Sequence, residues 1–256
     1  MKAVILAGGR GSRLGEETKL RPKPMVEIGG MPILWHIMKI FDHFGFREFI
    51  ICHGLQGYVI KEFFGNYSLH ISDGVFRLGS GSYRPAQPPS EAWKVQVLDT
   101  GIDTMTGGRL KRIQRFLEDG DFCMTYGDGL ANIDITKLIK FHKDQGTLAT
   151  VTAVRPPARF GALSLNGDKV AAFEEHSVGE SGWINGGFFI LSPRVLDYID
   201  GDDISWEVDP MARLVREGQL SAYRHEGFWM PMDTPRDKAK LESLWASGRA
   251  PWKVWP

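Results

Sequence analysis

Lys2 to Pro24 reads KAVILAGGRGSRLGEETKLRPKP, and the rest of the chain is organised around it. Ala3 to Ala7 is an unbroken small and apolar run, the composition of a parallel strand buried on both faces. Gly8, Gly9 and Gly11 follow at once. A strand thus empties into a loop whose backbone can approach a ligand closely and whose successive N–H groups can line an anion-binding hollow. Arg10, Arg13, Lys19, Arg21 and Lys23 stand against Glu16 and Glu17 in the following stretch. That local cationic excess suits a triphosphate better than a nicotinamide. Lys23 lies between Pro22 and Pro24, whose rings fix their own φ and steer the preceding residues toward extended geometry. Its ammonium is carried on a stiff stretch, as a catalytic cation should be.

Other glycine loops fit less well. A strand followed by glycines also describes a generic tight turn. A dinucleotide fingerprint wants a third glycine where Leu14 stands and a helix opening immediately, whereas here polar and proline-containing residues intervene. A Walker loop needs a Gly-Lys-Ser/Thr ending, which is absent.

A chain of 256 residues is long enough for one large α/β domain that buries roughly three quarters of its unfolded surface. With 31 basic and 31 acidic residues the net charge is zero, which argues against nucleic acid or an anionic membrane as a bulk partner. The two cysteines, Cys52 and Cys123, sit in apolar runs and read as small buried hydrophobes of a reducing compartment. Neither a signal segment nor a membrane span is expected, and the expected setting is the cytoplasm. The seven histidines show no zinc spacing.

Periodicity predicts a helix from Pro32 to about Gly45, a strand at Glu48 to Cys52 and a short helix at Tyr58 to Phe64. Such alternation predicts a Rossmann-like α/β fold, a mostly parallel sheet flanked by helices with ligands beyond the carboxyl ends of its strands. Residues 66–93, with the Gly-, Ser- and Pro-rich run GSGSYRPAQPPS, read as an excursion from the core, a surface loop, lid or subunit contact. Strand character returns at Val95 to Asp99. Gly107 and Gly108 then precede a helical run with Arg109 at its start, where a guanidinium beside helix N-terminal amides would suit a phosphate. The strand Phe122 to Tyr126 ends in Gly127-Asp128-Gly129, which reads either as a ligand- or metal-facing aspartate or as a turn. A helix at Ile135 to Lys143 and a strand at Ala149 to Val154 follow. Phe160 to Leu165, Val170 to Glu174 and Gly187 to Leu191 read as strands of an appended, partly antiparallel layer roofing the pocket. Trp229 to Thr234 places Asp233 in a loop before a last helix, Pro235 to Ala246. Trp245, Trp252 and Trp255 read as anchors of the tail to the core or to a neighbouring subunit. Asp128 and Asp233, both at strand ends, are the candidate pair for magnesium, which takes few protein ligands and keeps phosphate oxygens and waters.

The loop LAGGRGSRL followed by PKP closely resembles the signature of the sugar nucleotidyltransferases, the nucleoside diphosphate sugar pyrophosphorylases. TGGRLKR (Thr106 to Arg112), TYGDG (Thr125 to Gly129), RFGAL (Arg159 to Leu163), INGGFF (Ile184 to Phe189) and FWMPMDT (Phe228 to Thr234) extend the resemblance end to end. They are most similar to the branch that makes CDP-glucose and pyrophosphate from CTP and glucose 1-phosphate. The resemblance implies the nucleotide-diphospho-sugar transferase fold in a single domain over residues 1–256, with a smaller mixed antiparallel sugar-binding layer and a tendency to homo-oligomers. It implies catalytic roles for Arg13 and Lys23 on the nucleotide phosphates, and magnesium on Asp128 and Asp233. Leu6, Ala7, Gly8, Gly9, Arg10, Gly11, Ser12, Thr104, Arg109 and Gly127 would hold the nucleotide. Tyr126, Gly161, Glu175, His176 and Asn185 would hold the sugar.

One position departs from the family. Glu-Lys-Pro is usual where this chain has Glu175, His176 and Ser177, the lysine meeting the sugar's phosphate. Three readings stay open: a protonated His176, a substitute cation such as Arg159, or an acceptor other than glucose 1-phosphate. An oxidoreductase is disfavoured by the missing third glycine and by the absence of an acid after the second strand. An idle sugar-nucleotide-binding subunit is disfavoured because a binder could do without Asp128 and Asp233. If His176 carries the phosphate contact, the KM for the sugar phosphate rises between pH 6 and 8, as the imidazole loses its proton, while the KM for the nucleotide stays level. A flat acceptor KM across that interval removes His176 from the contact.

Overall fold

Ala3–Ala7 forms strand β1, buried along its whole length. Ala3, Ile5 and Ala7 enter one apolar cluster and Val4 and Leu6 another. Both faces are covered, which is why the strand has no polar alternation. The computed structural model describes residues 1–9, 14–15, 17–156, 162–166, 169–174 and 182–256. After β1 come α1 (Glu17–Leu20), the hairpin β2 (Glu27–Ile28) and β3 (Met31–Pro32), α2 (Ile33–His43), β4 (Glu48–His53), α3 (Gly57–Gly65) and α4 (Tyr67–Ile71). Next are β5 (Gly74–Arg77), β6 (Ser82–Pro85), β7 (Lys94–Asp99), α5 (Thr106–Arg112), β8 (Phe122–Tyr126), β9 (Gly129–Ala131), α6 (Ile135–Gln145) and β10 (Ala149–Val154). The chain continues through β11 (Ala162–Asn166), β12 (Lys169–Glu174), β13 (Ile184–Leu191), α7 (Asp209–Arg216), β14 (Leu220–His225), β15 (Trp229–Pro231) and α8 (Pro235–Ala246).

Seven strands build the main sheet in the order β14-β10-β13-β8-β1-β4-β7. Every neighbouring pair is parallel except those made by β13, which runs against both β10 and β8. From β1 the chain moves outward through β4 to β7, then crosses back to lay β8 on the other side of β1. This reversal of winding direction, between β1 and β8, opens a crevice at the strands' carboxyl ends where such sheets bind ligands.

Two expectations are corrected, those on the strand near Gly187 and on Arg109. The strand near Gly187 belongs to the main sheet and not to a roof, because Gly186 to Leu191 is buried throughout and such a strand needs cover on both faces. Of the three expected roof strands, β11 and β12 pair as a separate antiparallel ribbon. Within residues 66–93, α4 leads into the hairpin β5–β6, whose Tyr83 hydroxyl donates to the Ser72 carbonyl at 2.8 Å. Arg109 does not open its helix. Helix α5 begins at Thr106, and the Gly107 and Gly108 amides donate to the Ile204 carbonyl at 3.0 and 3.2 Å, so those donors are spent within the fold. Cys52 and Cys123 are buried and unpaired as disulfides, as expected, and burial pushes the Cys52 thiol up to about 12. Among the described residues no helix is long and apolar enough to cross a membrane.

Arg109 instead acts as a clamp under the glycine loop. Its guanidinium donates to the carbonyls of Gly8 (2.9 Å), His53 (3.1 Å) and Gly101 (2.8 Å) and to the Thr100 hydroxyl (2.7 Å). These acceptors follow β1, β4 and β7, so one side chain ties three strand ends together. The approach requires glycine at position 8, where a Cβ would come within 2.1 Å of the guanidinium carbon.

The last residues of the chain return to α2. His36, Trp35, Trp245, Trp252 and Trp255 form an edge-to-face cluster, with the His36 and Trp245 rings 4.7 Å apart. Trp252 is fully buried and Trp255 nearly so, which anchors the tail to its own core. His36 Nε2 lies 2.8 Å from the Ile28 carbonyl and Nδ1 accepts the Trp252 indole N–H at 3.4 Å. Both nitrogens are thereby used by the neutral ring, and burial lowers its pKa from 6.5 to about 4.

Two outcomes follow from these contacts. An imidazole of depressed pKa contributes its stability fully above pH 6.5, and that contribution is lost as the pH falls toward about 4, because the unfolded chain takes the proton first. Unfolding free energies of His36→Gln should lack roughly 3 kcal/mol of the acid slope seen in the unsubstituted protein between those pH values. Arg109→Met strands several buried carbonyls, so its urea midpoint should fall by an equivalent of about 3 kcal/mol or more with the slope unchanged.

Candidate active site

Lys23, Asp128 and Asp233 meet. The Lys23 ammonium donates to an Asp128 carboxylate oxygen at 2.7 Å and to an Asp233 carboxylate oxygen at 2.6 Å. The side chains are 12%, 32% and 17% exposed, so the cluster is shielded yet open to a ligand.

Each member is placed by a local device. Residues 23–25 form a single 3-10 turn entered from Pro22 at φ −67° and ψ 151°, with the Met25 amide bonded to the Pro22 carbonyl at 2.8 Å. Pro24 packs onto Gly127 so closely that a Cβ there would sit 2.8 Å from its ring. Lys23 is thus delivered beside the end of β8. Strand β9 turns out of β8 and pairs antiparallel with β15, Gly129 opposite Pro231, and the Met232 amide donates to the Asp128 carbonyl at 2.8 Å. That ladder brings Asp233 to Asp128. Beyond it, Thr234 and Asp237 cap α8 reciprocally, and the Asp237 carboxylate also accepts the Asp233 amide at 3.1 Å. The loop carrying Asp233 is thereby pinned at both ends.

Beside this cluster lies a cavity of about 480 Å³ at the carboxyl ends of β1 and β8. Leu6, Ala7, Gly8 and Gly9 form one wall, and Tyr126, Gly127 and Asp128 another. Lys23, Thr104 and Arg109 also line it. Asn185, at the amino end of the reversed strand β13, reaches the same neighbourhood, its amide nitrogen 3.5 Å from the Tyr126 hydroxyl. Arg10, Gly11, Ser12, Arg13, Gly161, Glu175 and His176 lie outside the described residues.

Sequence reading missed Thr106 and Glu207. The Tyr126 hydroxyl donates to Glu207, whose other carboxylate oxygen accepts the Thr106 hydroxyl at 2.6 Å and the Ser205 hydroxyl at 2.7 Å. Burial, reinforced by that carboxylate, pushes the Tyr126 phenol well above its ordinary value. TGGR had marked the stretch around Thr106, but nothing in SWEVD marks Glu207.

Two carboxylates converging on one cation present hard oxygens to a single point, a donor set that fits a small divalent ion completing its shell with phosphate oxygens and water. Among the described residues no group of three or more His, Cys, Asp or Glu side chains could hold a metal, so any such ion would depend on its substrate for ligands. The cavity offers a glycine wall, the Lys23 cation and Asp128, with Asp233 joined to it through Lys23.

Residues 2–237 match the family model described as nucleotidyl transferase. The glucose-1-phosphate cytidylyltransferase of Salmonella typhimurium is 54% identical over 256 residues, covering 100% of both chains. Among solved structures, HddC from Yersinia pseudotuberculosis superposes with a TM-score of 0.70 at 24% identity, covering 95% of this chain and 99% of its own. UDP-glucose pyrophosphorylase from Acinetobacter baumanii superposes with a TM-score of 0.69 at 15% identity, covering 97% and 95%. These likenesses fix the fold as that of the nucleotide-diphospho-sugar transferases. Enzymes of the matched family generally use a divalent metal. With a mostly parallel sheet, a cavity at its winding reversal and a family match over nearly its whole length, the chain belongs to the nucleotidyl transferase family.

Proposed function

We propose that this protein is a magnesium-dependent cytidylyltransferase, a single nucleotidyltransferase domain of the cytoplasm that makes CDP-glucose and pyrophosphate from CTP and α-D-glucose 1-phosphate. Whole-chain likeness to the Salmonella enzyme supports the substrates. The meeting of Lys23 with Asp128 and Asp233 at the edge of the glycine-walled cavity carries the chemistry.

The reaction is a single in-line displacement. An oxygen of the sugar phosphate forms a bond to the α-phosphorus of CTP, and the bond from that phosphorus to the bridging oxygen of the β-phosphate breaks. No general base is needed, since a phosphate monoester with a second pKa near 6 is largely dianionic at pH 7. What opposes reaction is the approach of two anions. The Gly8–Gly9 backbone, with Arg10, Gly11 and Ser12, cradles the nucleotide, and Leu6, Ala7, Thr104 and Gly127 shape its pocket. Arg109 holds that loop in place from beneath. Lys23 and Arg13 lie against phosphate oxygens and offset the charge that accumulates as the bonds exchange. Asp128 and Asp233 would hold magnesium, which when bound neutralises phosphate charge and orients the oxygens it touches. Lys23, which bridges those two acids, is the cation of the cluster that would serve the phosphates. Asn185 and Tyr126, with Glu175 and Gly161, bind the sugar, and His176 stands where its phosphate lies.

Pyrophosphate release should be measured for all four nucleoside triphosphates against several sugar 1-phosphates, with and without magnesium. CTP with glucose 1-phosphate should exceed every other pair and should need the ion. Lys23→Ala should lower turnover by about a hundredfold or more. Turnover of that variant near the unsubstituted rate refutes the role given to Lys23, and preference for another pair refutes the substrate assignment.

A further inference from the structure

Glu207 lies in the segment between β13 and α7, and no role yet given to the site uses it. Three hydroxyls point at its carboxylate: Tyr126 on one oxygen, Thr106 and Ser205 on the other. Those donors come from the end of β8, the first residue of α5 and the segment that bears Glu207 itself. Thr106 also accepts the Trp206 amide at 2.9 Å, which holds the carboxylate's own backbone in register.

The protons in this network run one way. An ionised carboxylate only accepts, and a phenol has one proton to give. Because Tyr126 spends its proton on Glu207, its oxygen faces the cavity as an acceptor. Asn185 is oriented from the other side, its amide oxygen accepting the Gly187 N–H at 2.8 Å. That contact fixes the amide so that its nitrogen, a donor, faces Tyr126 at 3.5 Å. The gap is at the outer limit of a hydrogen bond, so little is lost when a ligand atom enters between them. The pair therefore offers one donor and one acceptor side by side. A hydroxyl group satisfies both at once, accepting from Asn185 and donating to Tyr126. A hydrogen or a fluorine in its place cannot donate, which leaves the oxygen of half-buried Tyr126 unpaired.

We propose that Glu207 is a positioning residue for the acceptor: by taking the Tyr126 proton it makes the Tyr126–Asn185 pair demand a sugar hydroxyl. This rests on the reading of the cavity as the site of a nucleotidyltransferase acting on a hexose 1-phosphate. In Glu207→Gln the side chain can present an N–H to the phenol, so the Tyr126 proton is freed to turn toward the ligand and the demand relaxes. In Tyr126→Phe the acceptor is gone while Glu207 and its other two partners stay.

The test is steady-state pyrophosphate release by the full-length protein, with glucose 1-phosphate and its monodeoxy and monofluoro analogues at saturating CTP and magnesium, and with CTP varied separately. The unsubstituted enzyme should discriminate against at least one analogue by a hundredfold or more in kcat/KM. Glu207→Gln and Tyr126→Phe should each raise the KM for glucose 1-phosphate by about tenfold, leave the KM for CTP within about twofold, and shrink discrimination at the same sugar position to about tenfold or less. The double variant should be no worse than either single one, because both remove one interaction. Losses that multiply in the double variant, an equal rise in the KM for CTP, or discrimination that persists in both single variants would each overturn the role. Should Glu207→Gln fail to fold, Tyr126→Phe reads the same discrimination by itself. An unsubstituted enzyme inactive on CTP with glucose 1-phosphate defeats the functional reading, whereas an active one with indifferent variants defeats only the role of Glu207.

Discussion

The ammonium of Lys23 held between the carboxylates of Asp128 and Asp233 is the contact on which the arrangement of this molecule turns. Its three members lie 105 and 210 positions apart along the chain, and each is delivered by a different piece of architecture. A proline-framed turn supplies the cation, a strand of the central sheet supplies one acid, and a two-stranded ladder supplies the other. Two like charges at this distance repel strongly where water is partly excluded. They persist because a cation joins them.

Much of this was legible in the sequence because it depends on local pattern. Ala3 to Ala7 announces a doubly covered strand by composition alone, and it is buried from end to end. Asp128 stands out by its flanking glycines and Asp233 by the turn before a proline-opened helix, and both lie where the strands end. The cavity, too, lies between the two stretches that pattern had marked, the glycine loop and TYGDG.

What the sequence did not disclose depends on distant partners. FFIL at Phe188 to Leu191 is an apolar run that either a roof or a central strand could carry, and only its insertion between β10 and β8 decides the matter. The amides at the start of α5 looked available for phosphate, yet the Ile204 carbonyl, almost a hundred residues away, takes them. Arg109 sits next to those amides in sequence and turns away from them, toward carbonyls after three strands. Glu207 carries no local signature because two of its three partners come from other elements.

The ladder that joins Gly129 to Ala131 with Trp229 to Pro231 also sets an order of events during biosynthesis. A ribosome adding about 5 to 20 residues each second completes the segment bearing Asp128 some 5 to 20 seconds before it reaches Asp233. Throughout that interval the nascent polypeptide already has its glycine loop, Lys23 and Asp128, and β9 has no partner strand. Lys23 then has one carboxylate to meet in place of two. The pairing of both acids with Lys23 therefore arrives late, when the closing strand of the ladder docks.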